Sequence, residues 1–263
     1  MTSLARRIRR ATTITVAAGL LSGAAVIAAE VAAARTRRYA KPALDLALRA
    51  TVGPPQAPPL RLTLLGDATA LGVGVESVAE TPGGQLAELL TGEGEYPWRV
   101  ELSSVAVAGS RSADLGPQVA RALLGPRPDV AVILIGTGDA TDLRRPSEAA
   151  AHLASAVRRL RDAGVEVVVG TCPDLGAARA FAPPLRQLVG WLGRRVARAQ
   201  APAAHVAGAD VVDLAAETGP VFRADPGTLC FDGFHPSADG YRVWAHALYP
   251  AVAAAAHATS IRE

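Results

Sequence analysis

An alternation that begins near Leu60 most limits what this chain can fold into. Five short runs rich in β-branched and apolar residues, Arg61–Leu65, Arg99–Ala106, Val130–Ile135, Val165–Gly170 and Asp210–Leu214, are each followed by Gly, Ser, Thr or Asp and then by a segment of helical period. Runs this apolar must be covered on both faces, and a helix after each strand supplies the cover. The pattern predicts an α/β domain: a five-stranded, parallel, doubly wound sheet, with helices over Gly84–Leu90, Ala113–Leu124, Ser147–Ala163, Pro184–Gln200 and Ala238–Ala256. Half of the residues are apolar but only 4% are aromatic, which suits small-residue helices lying close on a buried sheet.

Open parallel sheets bind their ligands at the carboxyl ends of the strands, so the turns after the strands are where chemistry is expected. After the first strand comes Gly66-Asp67-Ala68-Thr69-Ala70-Leu71-Gly72, after the second Ala108-Gly109-Ser110-Arg111-Ser112, after the third Gly136-Thr137-Gly138-Asp139, and after the fourth Thr171-Cys172-Pro173-Asp174. The fifth leads through a longer loop to Leu229-Cys230-Phe231-Asp232-Gly233-Phe234-His235-Pro236-Ser237. There an Asp precedes a His by three residues, the spacing of a carboxylate that fixes an imidazole tautomer so that the ring can take a proton. Alone, such a pair also describes a His–Asp bond that merely closes a surface loop.

The order and spacing of the four blocks resemble the SGNH/GDSL hydrolase (GDSL-like lipase/esterase) family, specifically its single-domain actinobacterial members, over about residues 60–256. The resemblance implies a flavodoxin-like three-layer α/β/α domain that hydrolyses carboxylic esters or acyl groups. It also assigns roles by position. Gly66 and Asp67 match the family's Gly-Asp-Ser, but Ala68 stands where the serine would be both nucleophile and backbone oxyanion donor. Gly109 matches the glycine whose N–H is a second oxyanion donor. Gly136 and Asp139 match Gly-x-Asn-Asp, with Gly138 in place of the asparagine whose amide completes the oxyanion hole. Asp232 and His235 match the intact Asp-x-x-His.

A methyl group cannot attack a carbonyl. Loss of a triad nucleophile costs on the order of 10⁶ in kcat, and loss of a side-chain oxyanion donor about 10²–10³. The chain contains no asparagine anywhere, so none reaches in from elsewhere. The expectation is a hydrolase-like protein whose activity is weak or lost, with a non-catalytic binder of an acyl or glycan ligand, or of a protein, as the alternative. Three substitutes for the serine present themselves: Thr69, read here as a helix-capping residue; Ser110 or Ser112 from the second loop; and water activated by His235.

No cofactor or metal is called for. Gly72-Val73-Gly74 lacks the third glycine of a dinucleotide fingerprint, and Cys172, Cys230, Asp232 and His235 follow no zinc spacing. In an exported domain a Cys172–Cys230 disulfide is expected, with two free buried thiols as the alternative.

The N-terminal region differs in kind. Ala11–Ala29 is a charge-free, mostly apolar run of nineteen residues, which as a helix would rise ~28 Å, about the thickness of a bilayer's hydrocarbon core. Four basic residues flank it on either side, so charge gives no orientation. The reading is a signal anchor over residues 1–41 that holds the domain outside the cytoplasm, in the cell envelope. Cleavage near Ala32-Ala33-Ala34 would instead release a secreted protein. A short helical stretch, Pro42–Ala50, and a Pro-rich spacer complete a linker over residues 42–59, ahead of a domain at 60–257. Residues 1–41 carry eight basic side chains against Glu30, a net +7, so the remainder carries −4 of the chain's +3. A nucleic-acid partner is therefore not indicated. The partners expected are a membrane, through the N-terminal helix, and a small acyl-ester or acylated-glycan ligand.

Overall fold

The third of the five expected strands, Val130–Leu134 (here β4), is buried at every residue and lies inside a mixed sheet. The computed structural model describes residues 23–43, 49–92 and 97–260. In chain order the elements are a helix over residues 23–36 (α1), β1 (Arg49–Val52), β2 (Pro59–Gly66), a single turn α2 (Ala68–Leu71), α3 (Pro82–Gly92), β3 (Arg99–Ser104), α4 (Leu115–Leu124), β4, α5 (Thr137–Thr141), α6 (Pro146–Asp162), β5 (Glu166–Gly170), α7 (Leu185–Val206), β6 (Asp210–Val212), α8 (Leu214–Ala224) and α9 (Ala238–Ser260). The sheet order is β1-β3-β2-β4-β5-β6, and every pairing is parallel except that of β1 with β3.

Period-two alternation sends the strand residues to two cores. Leu62, Leu64, Val100, Val130 and Val132 pack with Leu86 of α3 and with Tyr241, Trp244 and Leu248 of α9. On the other face Leu65, Ala131, Ile133, Val167 and Val169 meet Leu115 and Val119 of α4 and Leu153, Val157 and Leu160 of α6. This is the expected three-layer α/β/α arrangement, and the five strands and five helices expected of the domain all occur.

The sheet has one strand more than the five expected. Residues 49–52, read in the sequence as the end of a helical stretch and the start of a linker, form β1, which runs antiparallel along the edge with Arg49 opposite Ser103 and Val52 opposite Val100. Gly53 makes this possible: its φ is +105°, and a Cβ there would sit 2.4 Å from the carbonyl oxygen of Trp98. The proline-rich stretch then closes a turn, with the N–H of Ala57 bonded to the carbonyl of Pro54 at 3.0 Å, and feeds β2 directly. A spacer pattern has become the connection between two strands that lie on either side of β3 and both pair with it. Residues 44–48 of the expected helical stretch lie outside the described residues.

The apolar run Ala11–Ala29 also falls largely outside them. Among the described residues no helix is long and apolar enough to cross a membrane. The described end of the run belongs to α1, where Ile27 packs on the domain.

Candidate functional site

All the expected site residues lie at the carboxyl edge of the parallel strands. The turn after α8 is closed by an antiparallel bridge between Leu229 and Pro236 and by hydrogen bonds from Cys230 N–H to the His235 carbonyl (2.9 Å) and from Gly233 N–H to the Cys230 carbonyl (3.0 Å). These bonds turn Asp232 and His235 inward, where both are buried. His235 Nδ1 lies 2.7 Å from Asp232 Oδ2, leaving Nε2 as the atom available for proton transfer. Asp232 Oδ1 accepts from the N–H groups of Phe234 (2.7 Å) and His235 (2.9 Å) and from Cys230 Sγ (3.2 Å). Burial would raise the Asp232 carboxyl, but the bonds from the His235 ring and from the Ala40, Phe234 and His235 N–H groups outweigh it and hold the group well below the usual carboxylate range.

Position 68 is the first residue of α2, so the Ala68 N–H has no partner within the helix. The N–H of Gly109 makes no hydrogen bond among the described residues, and a side chain built there would meet nothing within 4 Å, so the space beside it is open. Gly74 brings the first loop against the Asp-His turn: with φ +110°, it lets Pro236 O lie where a Cβ would be only 2.4 Å away. Thr69, Thr137, Phe222, Phe234, Pro236 and Trp244 share the lining of one small cavity, of about 30 Å³, between the first, third and last blocks. A much larger concavity, about 690 Å³, lies between β1, β3 and α4 and includes none of the site residues. The small cavity, unlike the large one, is lined by the chain neighbours of Ala68, Gly138 and His235: Thr69, Thr137, Phe234 and Pro236.

The three hydroxyls weighed as substitutes, those of Thr69, Ser110 and Ser112, are bonded elsewhere. Thr69 is not the cap of α2: Asp67 is, accepting from Thr69 N–H at 2.9 Å and from Thr69 Oγ1 at 2.7 Å. Burial pushes the Asp67 carboxyl up, and the two Thr69 bonds offset part of this. Ser112 Oγ donates to Asp139 Oδ2 at 2.8 Å, and Ser110 Oγ accepts from Gln118 Nε2 at 3.1 Å. Gly138 lies within α5 and is not at positive φ. A Cβ there would be 3.0 Å from both the Ser110 carbonyl oxygen and Arg111 Cγ, so the second loop occupies space that a side chain would need.

Two buried glutamines that the sequence does not single out tie the turns together. Gln118 accepts from Gly66 N–H (2.8 Å) and donates to Gly66 O (2.9 Å), joining the first turn to α4. Gln200 donates to Ile135 O (3.0 Å) and accepts from Cys172 N–H (2.9 Å), joining the ends of β4 and β5 to α7. A glutamine set among apolar helix positions was the available signal. The two cysteines are free, contrary to the disulfide expectation. Cys172 is buried behind Gly136 and Gln200, while Cys230 turns its thiol toward Asp232. Burial, reinforced by the Asp232 charge, pushes the Cys230 thiol up to about 11.

A doubly wound sheet carrying an Asp-His pair beside a tight strand-to-helix turn and exposed backbone donors defines a hydrolase-like protein of the SGNH type. The model of the GDSL-like Lipase/Acylhydrolase family matches residues 64–243, and the chain belongs to that family. It is 44% identical over 199 residues to the GDSL-like esterase Rv1075c of Mycobacterium tuberculosis, a match covering 73% of this chain and 62% of that protein. The chain thus spans less than two thirds of that relative's length. Among solved structures, a protein of Slackia heliotrinireducens assigned to the SGNH hydrolases is 28% identical with a TM-score of 0.53, covering 73% of this chain and 98% of that one. TesA (20% identity, TM-score 0.60, 74% and 99% covered) and a catalytic mutant of Axe2, an acetylxylan esterase from Geobacillus stearothermophilus (21%, 0.55, 76% and 95%), share the fold.

Proposed function

We propose that the chain is an esterase-type scaffold that keeps the general base, its orienting carboxylate and two backbone oxyanion donors, but has given up the acyl-enzyme route. The observation that carries this is the bonded Asp232–His235 pair at the same sheet edge as a turn on which Ala68 offers a methyl group, while the hydroxyls of Thr69, Ser110 and Ser112 already have partners. Any hydrolysis then runs by water that His235 deprotonates. The cavity beside Phe234 suits a short acyl group on a lipid or envelope glycan. The apolar run Ala11–Ala29 supports a membrane-anchored location with the domain on the outer side, or secretion if the run is cleaved. The missing nucleophile also favours a second reading, in which the cleft binds such a ligand, or a protein, without turning it over.

The test is hydrolysis of short-chain acyl esters by the purified full-length protein beside a His235→Ala control. The expected result is a rate near background, with no burst of acyl-enzyme and any residual turnover abolished in the control. A burst followed by rapid turnover would overturn the proposal, because it would require a nucleophile at another position. Saturable ester binding with no His235-dependent turnover would select the binding reading.

A further inference from the structure

We propose that residues 27–40 are a strap that completes the Asp232–His235 site, with Ala40 and Tyr39 as positioning residues for the carboxylate. The sequence places these residues in an N-terminal appendage, yet they meet the domain at five successive points that lead to the site. Ile27, Val31 and Ala34 of α1 pack with the cluster formed by Phe181, Leu185 and Val189. Glu30 Oε2 accepts from the N–H of Leu185 at 2.9 Å, 155 residues away. That bond fills a real vacancy: the N-cap of α7 is Pro184, which makes no side-chain cap, and a carboxylate is favoured at the positive end of a helix.

Arg37 Nη1 donates to Ala180 O at 2.9 Å, and Ala180 N–H donates to Gly233 O at 2.9 Å, so strap, loop and Asp-His turn are bonded in series. Tyr39 then meets Phe234 edge-on with ring centroids 5.7 Å apart, and Phe234 meets the His235 ring at 5.1 Å. Finally the Ala40 N–H donates to Asp232 Oδ2 at 2.9 Å, on the same oxygen that holds His235 Nδ1 at 2.7 Å. With three donors on Oδ1 and two on Oδ2, the carboxylate cannot rotate without breaking bonds on both oxygens. Among the described residues, Ala40 contributes the one donor that comes from outside the Asp-His turn and its cysteine. Cleavage near Ala34 would cut the strap between its Glu30 clamp and its Ala40 bond, so an intact N-terminal segment and an ordered dyad become one requirement.

This inference rests on the reading of Asp232 and His235 as orienter and base, and the experiment separates the two. Full-length protein labelled with ¹⁵N-histidine is examined for a slowly exchanging imidazole Nδ1–H, assigned by its loss in His235→Ala. Tyr39→Ala and Ala40→Pro should each speed its exchange with water about tenfold, the scale of one lost charge-assisted hydrogen bond, whereas Tyr39→Phe should restore the parental rate. An Nδ1–H signal absent from the parent protein would overturn the dyad reading itself. A signal present but unmoved in folded strap variants would overturn the strap alone. Should the variants fail to fold, amide exchange of Ala40 in the unaltered protein decides: protection matching that of α9 supports the strap, and exchange at the rate of free chain refutes it.

Discussion

Ala68→Ser should turn this chain into an esterase, and the structure sets the size of the gain. Position 68 is a half-exposed first residue of α2, where a hydroxyl adds no buried volume and the N–H stays free. The Asp232–His235 bond and the open Gly109 N–H are already in place. Restoring a nucleophile to an otherwise complete triad recovers on the order of 10⁶ in kcat. Here the oxyanion still lacks its side-chain donor at Gly138, a deficit of about 10²–10³. The net expectation is a gain of about 10³–10⁴, or roughly 4–5.5 kcal/mol of transition-state stabilisation. The assay is initial-rate hydrolysis of a short-chain acyl ester by four proteins: parent, Ala68→Ser, His235→Ala and the double variant. The serine's gain should vanish when His235 is absent. Equal, near-background rates for Ala68→Ser with and without His235, in proteins that melt normally, would show that the imidazole is not aimed at position 68 and would refute the catalytic reading.

Adding Gly138→Asn to Ala68→Ser should raise kcat further, but by less than the 10²–10³ of an unhindered donor, because its Cβ must displace the Ser110 carbonyl and Arg111 from 3.0 Å; a loss of rate together with a lowered melting temperature would mean that the second loop cannot yield. Native, unreduced protein should alkylate slowly at Cys230, whose thiol is held up to about 11, and at Cys172 only after unfolding; recovery of a Cys172–Cys230 cross-linked peptide by mass spectrometry would contradict the free-thiol geometry. Two aspartates should give opposite pH signatures in melting experiments. Asp232 has a depressed folded value, so its stabilisation is present above the unfolded value of about 3.9 and fades as pH falls, and the deficit of Asp232→Asn should shrink in acid. Asp67 has a raised folded value, so its contribution is greatest in acid and is lost as pH rises, and Asp67→Asn should gain on the parent with rising pH. Slopes of the same sign would be wrong for one of the two.

The strands and helices were legible because burial on two faces leaves a local pattern: β4 is buried throughout, and its sequence is apolar throughout. The Asp232–His235 pair was legible because a three-residue spacing within one turn suffices to bring a carboxylate onto an imidazole. What the sequence hid were contacts between segments far apart in the chain, each made by a residue whose local pattern said something else. Arg49–Val52 read as linker because an edge strand four residues long needs no alternation, only a neighbour, and that neighbour, β3, comes some fifty residues later. Gln118 and Gln200 carry no motif, since one amide suffices to clamp a strand end and its only signature is a polar residue on an apolar face. The disulfide expectation failed for a related reason. Two cysteines at one sheet edge looked like partners, but turn geometry aims one thiol at Asp232 and buries the other behind Gly136.

The N-terminal segment shows most plainly why such contacts escape a local reading. Its composition, apolar and then basic, is that of a tether, and composition reports only what a segment does by itself. Docked on the domain, Glu30 serves as a helix cap and Arg37 as a brace, while the Ala40 backbone supplies a bond to Asp232 that any residue but proline could make. A backbone donor leaves no trace in side-chain identity. Sequence can therefore name the base and its carboxylate, whereas what holds the carboxylate still emerges only from the folded chain.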